Sequence, residues 1–198
     1  MSRASLEVEL KLAAGDDEPL RHLASAVSLG AAALGPARHV AETDRYLDTA
    51  DRRLAAAGWA CRLRSRGPHT IMSLKGPAEH RAGEVLHRRP EIEGPEAERR
   101  AVELAGGQPL IELVRLEQER ITRTVTQHDM PIGDLWLDRC RIVAEGRTVG
   151  HLRVVELELA GNEAPAQDVL AALLAVPGLV PDPLSKLEHA LALLEGRE

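Results

Sequence analysis

The stretch Ala4–Ala13 reads ASLEVELKLA, and in it Glu7, Glu9 and Lys11 alternate with Leu6, Val8, Leu10 and Leu12. Alternation of period two is the mark of a β-strand, in which side chains at i, i+2 and i+4 share one face at roughly 6–7 Å spacing. Two carboxylates and an ammonium therefore point one way and aliphatic side chains the other. A charged row facing water needs no explanation. A charged row facing inward must be paired or must bind something, because an uncompensated buried charge is expensive.

The remaining strands decide between these. WACRLRSRG sets Arg62 and Arg64 on one face, with Arg66 continuing the row before a Gly67-Pro68 turn. HTIMSLKGPA places Lys75 with Ile71 and Ser73, and GEVLHRRPEIEG carries Arg89, Glu91 and Glu93 at i, i+2 and i+4. Pro90 marks this last strand as an edge or a bulge. From about Arg120 a further strand has Arg120, Thr122 and Thr124 alternating with Ile121, Arg123 and Val125. The stretch before it, LIELVRLEQ, fits helix or strand. GDLWLDRCRIVAEG puts Asp134, Trp136 and Asp138 together, and RVVELELAG does the same for Glu156 and Glu158. Arg123 has the opposite parity to Arg120 and is read as structural.

Helical periodicity appears between these strands. A helix is expected from about residue 18 to about 29 with Gly30 as its stop, a short one at ADRRLAAAG, and one over 95–108 ending at Gly106-Gly107. The tail holds two more, one with Pro165 near its start and the Pro177-Gly178 pair after it, and one in PLSKLEHALALLEG. About eight strands in mostly consecutive order favour an antiparallel sheet closed into a β-barrel with peripheral helices.

The chain has 198 residues, 44% hydrophobic and 28% charged, enough for one domain with a real core and no disordered bias. Phe is absent and aromatic residues are only two Trp and one Tyr, so Leu, Val, Ala and Ile must fill that core. The formal charge of −6 gives no global attraction to nucleic acid or an anionic membrane, so any anion site must come from local Arg and Lys clustering. Cys61 and Cys140 lack ligand-like spacing and fit free thiols in a reducing compartment, with one disulfide between them as the alternative. With no leader-like start and no long apolar run, a cytoplasmic protein with no membrane association is expected.

Rows of opposite sign have a chemical logic if they converge. The Glu7/Glu9 and Glu156/Glu158 pairs, with Asp138, offer oxygen ligands for a hard divalent cation, and Arg62, Arg64, Lys75, Arg89 and Arg120 offer donors for phosphoryl oxygens. The chain thereby resembles the CYTH superfamily, the triphosphate tunnel metalloenzymes. The resemblance runs through Glu7-x-Glu9-x-Lys11, Tyr46-x-Asp48-Thr49, the Leu-Arg-x-Arg strand at Arg62 and Arg64, and SLKG at Lys75. It continues in RPEIE at Arg89 and Glu91, ERITR at Arg120 and Arg123, LWLD at Asp138, VELEL at Glu156 and Glu158, and the SK of the last helix at Ser185 and Lys186.

The resemblance implies a single domain over residues 1–198, an eight-stranded antiparallel tunnel, and Mg²⁺ or Mn²⁺ held by Glu7, Glu9, Asp138, Glu156 and Glu158. It implies phosphate binding by Lys11, Arg62, Arg64, Lys75, Arg89, Arg120 and Lys186, with Lys11, Glu91 and Asp138 near the reacting atoms, and it allows a homodimer. It implies hydrolysis of a triphosphate. Inorganic triphosphate comes first, because it needs no head-group pocket. Thiamine triphosphatase, nucleoside triphosphatase, class IV-type adenylate cyclase and a non-catalytic triphosphate-binding module are the alternatives.

Overall fold

A computed structural model describes residues 5–79, 85–161 and 166–196, so that Pro165 lies outside the described residues. In chain order the elements are β1 (Ser5–Ala14), α1 (Glu18–Ser25), β2 (Ser28–Leu29), β3 (Ala32–Leu34), β4 (Arg38–Asp48), α2 (Arg53–Ala56), β5 (Ala60–Arg66) and β6 (His69–Lys75). Then come β7 (Leu86–Glu93), α3 (Pro95–Ala105), β8 (Ile111–Gln127), β9 (Met130–Ala144), β10 (Arg147–Leu159), α4 (Gln167–Leu174), β11 (Leu179–Pro181) and α5 (Lys186–Glu195).

The strands pair antiparallel in the circular order β4-β5-β6-β7-β1-β10-β9-β8, and β8 returns to β4, so eight strands close a barrel. The β2–β3 hairpin extends from β8 and β11 adds to β1 outside the ring. Closure leaves no unpaired edge in the ring, which lets the chain turn polar faces inward without exposing backbone donors there.

The aliphatic faces lie outside, beneath helices. Val8, Leu10 and Leu12 of β1 join Leu135, Leu137, Val155 and Leu157 in a cluster covered by Leu20 and Leu23 of α1 and Val169, Leu170 and Leu173 of α4. Cys61 and Leu74 of β5 and β6 pack under Leu54 of α2 and Ala97, Ala101 and Ala105 of α3. A third cluster lies on the inner face at one end. There Tyr46, Leu116, Cys140 and Ile142 meet Leu187, Ala190 and Leu194 of α5, which closes that end of the barrel.

The first helix ends at Ser25, short of the expected residue 29. Arg123 supplies the reason: its guanidinium donates to the carbonyls of Leu23, Ala24 and Ala26 in the last turn and of Leu34 and Gly35 beyond it. Those carbonyls find their partner in a side chain rather than in a continuing helix. The ambiguous stretch after Leu110 is strand throughout, β8 running for 17 residues. Pro90 does not distort β7. It faces Leu6 of β1 in unbroken register, and the ladder to β6 covers only Glu91–Glu93, so no pairing on that side needs its missing N–H. Gly76 passes so close that a Cβ there would lie 2.5 Å from Pro90 Cγ, while its N–H donates to the Pro90 carbonyl at 2.8 Å.

Candidate functional site

The charged face of β1 points into the barrel. Glu7 is 5% and Glu9 1% exposed, and the register sets Glu7 beside Arg89 of β7 and Glu9 beside Glu158 of β10. Lys75 Nζ lies 2.6 Å from Glu7 Oε1, and Arg89 bonds Glu7 at 2.9 Å and also reaches Glu9.

Across the tunnel, Arg64 forks onto Asp44 with both bonds at 2.7 Å and lies 2.9 Å from Glu42. Arg62 bonds Ser73 Oγ at 3.1 Å and Glu91 at 3.0 Å. Arg120 forks onto Asp138 at 2.7 and 2.6 Å, and its guanidinium carbon stands 4.4 Å from the centroid of the Trp136 ring. Lys186, at the first turn of α5, bonds Asp138 at 2.6 Å and Glu156 at 2.8 Å. Its placement follows from the cap: Ser185 and Glu188 form a reciprocal capping box, which fixes the helix start over the tunnel.

Arg62, Arg64, Lys75, Arg89, Arg120 and Lys186 thus border one cavity with Glu156, as does Lys11. Its free volume is only about 30 Å³. Acidic and basic residues interdigitate, rather than standing on two facing walls.

Lys11 has partners beyond the cavity wall. The side chain is 1% exposed, and its Nζ bonds Asp182 at 2.8 Å and the Leu184 carbonyl. Asp182 also accepts from the backbone of Leu184 and meets His189 Nε2 at 2.9 Å. Lys11 thereby ties β1 to the loop that delivers Lys186. Asp48 and Thr49 serve the β4–α2 turn: Asp48 takes the N–H groups of Leu54 and Ala55 at 2.9 and 3.1 Å, and Thr49 Oγ1 takes that of Arg53 at 3.0 Å.

The carboxylates divide by electrostatics. Burial opposes ionisation of Asp44, yet the hydrogen bonds from Arg64 and the charges of Arg62 and Arg64 outweigh it and hold its pKa well below the usual range. Glu156 is likewise depressed, burial being overcome by Lys186 and Arg120, and Glu7 is lowered against burial by Lys75 and Arg89. Glu9 is raised by burial and by Glu156, and Glu158 is pushed up to about 7 by burial and by Glu7, despite Lys75. Neighbouring carboxylates crowd Glu9 and Glu158, while Arg89 still bonds Glu9.

That crowding of carboxylates is the local test of fit for a divalent cation. Glu7, Glu9 and Glu158 supply hard oxygen donors, and two of the three are disfavoured as anions, so a bound Mg²⁺ or Mn²⁺ matches them in kind and charge. Asp138 and Glu156, named with them from the sequence, are bonded by Arg120 and Lys186, as Glu7 is by Lys75 and Arg89. Among the described residues no three His, Cys, Asp or Glu side chains stand gathered as a ligand set, since Arg89 and Lys75 occupy the carboxylates of β1.

The fold has counterparts among known proteins. The CYTH domain profile matches residues 5–176. This chain belongs to the CYTH domain family. Solved structures share the fold over nearly the whole length. A putative adenylyl cyclase from Hippeastrum, described as having a dominant triphosphatase activity, superposes with a TM-score of 0.65 at 17% identity, covering 96% of each chain. A putative adenylate cyclase from Bacillus halodurans gives 0.57 at 18%, covering 93% of this chain and 97% of its own. A Pyrococcus horikoshii protein gives 0.54 at 18%, covering 94% and 98%. No curated protein sequence matches the chain.

The CYTH tunnel also contains residues that the sequence reading passed over. Glu42 and Asp44 are 3% and 0% exposed and organise Arg62, Arg64 and Arg66, while Gln118 donates to Asp44 at 2.8 Å. The signal was present in HVAETDRYLD, where Glu42, Asp44 and Tyr46 share one face of β4.

Proposed function

We propose that the protein hydrolyses a triphosphate bound inside the barrel, releasing phosphate and pyrophosphate from inorganic triphosphate. The observation that carries the reading is the convergence of Arg62, Arg64, Lys75, Arg89, Arg120 and Lys186 on one cavity inside the barrel, with the buried carboxylates of Glu7 and Glu9 on the neighbouring strand β1. The wall is indifferent to what the triphosphate carries, so inorganic triphosphate meets every demand it makes. The description of the Hippeastrum relative as a triphosphatase supports the same reaction class.

Glu7, Glu9 and Glu158 would hold Mg²⁺ or Mn²⁺, which in such a site neutralises phosphoryl charge and lowers the pKa of bound water. Arg64 and Arg120 present planar pairs of donors to phosphoryl oxygens, and Lys75, Arg89, Arg62 and Lys186 add charge where it develops on the leaving pyrophosphate. Glu91 holds Arg62 and Asp138 holds Arg120 and Lys186, so each orients the wall that meets the phosphates. Lys11 acts through Asp182 on the loop before α5. Burial of Cys61 and Cys140 as free thiols supports a reducing, cytoplasmic setting, and no helix among the described residues is long and apolar enough to cross a membrane.

The experiment incubates the protein with inorganic triphosphate, thiamine triphosphate and ATP, each with Mg²⁺ or Mn²⁺, and separates phosphate, pyrophosphate and cyclic AMP. Metal-dependent phosphate release supports the proposal. Cyclic AMP with pyrophosphate from ATP, or binding with no turnover under either metal, overturns it.

A further inference from the structure

The outer wall of the barrel is covered unevenly. Helices α1 and α4 lie over one part and α2 and α3 over another, burying aliphatic rows beneath them. A third part, the outward face of β4, β8, β9 and β10, carries a groove of about 630 Å³, and none of the groove's lining residues lies in a helix. The ladders set two rows across it. Ala41, Glu119, Arg139 and Arg153 stand side by side in one, and Thr43, Glu117, Arg141 and His151 in the next. The face is thus striped along its strands, with small residues on β4, carboxylates on β8, and arginine and histidine on β9 and β10.

The charges of this face are left unbalanced within one copy. Arg139 stands opposite Glu119 in the register but turns to Asp17, and Arg153 bonds the same Asp17 oxygen, at 3.0 and 2.8 Å respectively. Two guanidinium groups thereby share one carboxylate. Glu119, by contrast, is exposed and has no ion pair among the described residues. An anion brought to Arg139 and Arg153 and a cation brought to Glu119 complete both. A small anion supplies only the first of these, whereas a second copy of the same face supplies the two together.

We infer that the protein forms a two-fold dimer through this face, with β8 of each copy lying over β9 of the other. An axis running along the strands, between β8 and β9, keeps each row opposed to itself and exchanges the two sides of the seam. Glu119 of one copy then meets Arg139 of the other, and Glu117 meets Arg141, each contact occurring twice. β4 falls over β10, so the long side chains of Arg153 and His151 stand over Ala41 and Thr43, where the groove has room for them. Sheets commonly pack face to face in this way, about 10 Å apart with strands within about 30° of one another. Such contacts are polar and close to water, so the dimer is reversible and sensitive to salt. It is independent of what the tunnel binds.

The test is sedimentation equilibrium of the purified chain over a range of concentrations, at low and high salt, with Glu119→Arg and Arg139→Glu each alone and the two mixed in equal amounts. Circular dichroism checks that both variants keep the wild-type fold. The wild type is expected to dimerise reversibly, and more weakly at high salt. Each substitution sets like charges together at both symmetric contacts, so each variant alone associates about tenfold or more weakly than the wild type. Mixing them restores association, because every contact between the two kinds of copy again joins opposite charges. A chain that stays monomeric throughout, a dimer that neither substitution weakens, or folded variants that do not associate when mixed overturns the proposal.

Discussion

Replacing Asp138 by Asn is the most demanding perturbation of the tunnel. The carboxylate is fully buried and accepts from Arg120 at 2.7 and 2.6 Å and from Lys186 at 2.6 Å. An amide of the same shape keeps the volume and removes the charge. Arg120 and Lys186 are then left buried with Glu156, 3.6 Å from Arg120 and 2.8 Å from Lys186, and with Glu42, 3.5 Å from Arg120. Breaking a buried pair from one side costs about 3–5 kcal/mol. In a chain of this length that corresponds to a melting temperature lower by about 6–20 °C. Thermal unfolding followed by circular dichroism measures it, and a double-mutant cycle with Lys186→Met adds a second check. Removing the stranded ammonium returns part of the loss, with a coupling of about 1–3 kcal/mol. A loss below about 1 kcal/mol, or strictly additive effects, refutes the claim that these charges are buried against one another.

Three further outcomes follow from other parts of the molecule. In chelator-treated protein Glu158 titrates near 7 in the fold against a reference of 4.5, so the folded state binds more protons across that window and stability attributable to this group falls as pH rises through it; Glu158→Gln then exceeds the wild type in melting temperature above pH 7 and matches it below 4.5, and identical pH profiles contradict this. Arg123→Met strands carbonyls of Leu23, Ala26, Leu34 and Gly35 and lowers stability by at least about 3 kcal/mol in denaturant unfolding, while activity per folded molecule is retained. Asp182→Asn loosens the loop held by Lys11 and His189; hydrogen exchange in α5 speeds up and kcat falls, and unchanged exchange there argues against the tether.

Much of the site was legible because a strand has only two faces. Once Glu7, Glu9 and Lys11 are seen to share one, the period of two assigns Arg62, Arg64, Arg120, Asp138 and Glu156 to comparable faces, and closure of the barrel brings those faces together. What period cannot reveal is pairing across strands. Neither the interdigitation of Glu7 with Arg89 and Lys75 nor the capture of Asp138 by a lysine from α5 follows from alternation, because both depend on register and on where a helix docks. Lys11 illustrates the limit most clearly. Its parity places it inside, but its ammonium is claimed by Asp182, 171 residues away in sequence. The overlong first helix fails for the same reason, since its stop is set by Arg123 from β8.

The central claim is that phosphates enter the barrel by exchanging with its internal carboxylates. A crystal structure with inorganic triphosphate and Mn²⁺, using the anomalous signal of manganese to place the metal, tests it most directly. The account predicts manganese among Glu7, Glu9 and Glu158, with phosphoryl oxygens bonded to Arg62, Arg64, Lys75, Arg89, Arg120 and Lys186. Triphosphate bound on the outer surface, with the Lys75–Glu7 and Arg89–Glu9 pairs intact inside, would contradict it.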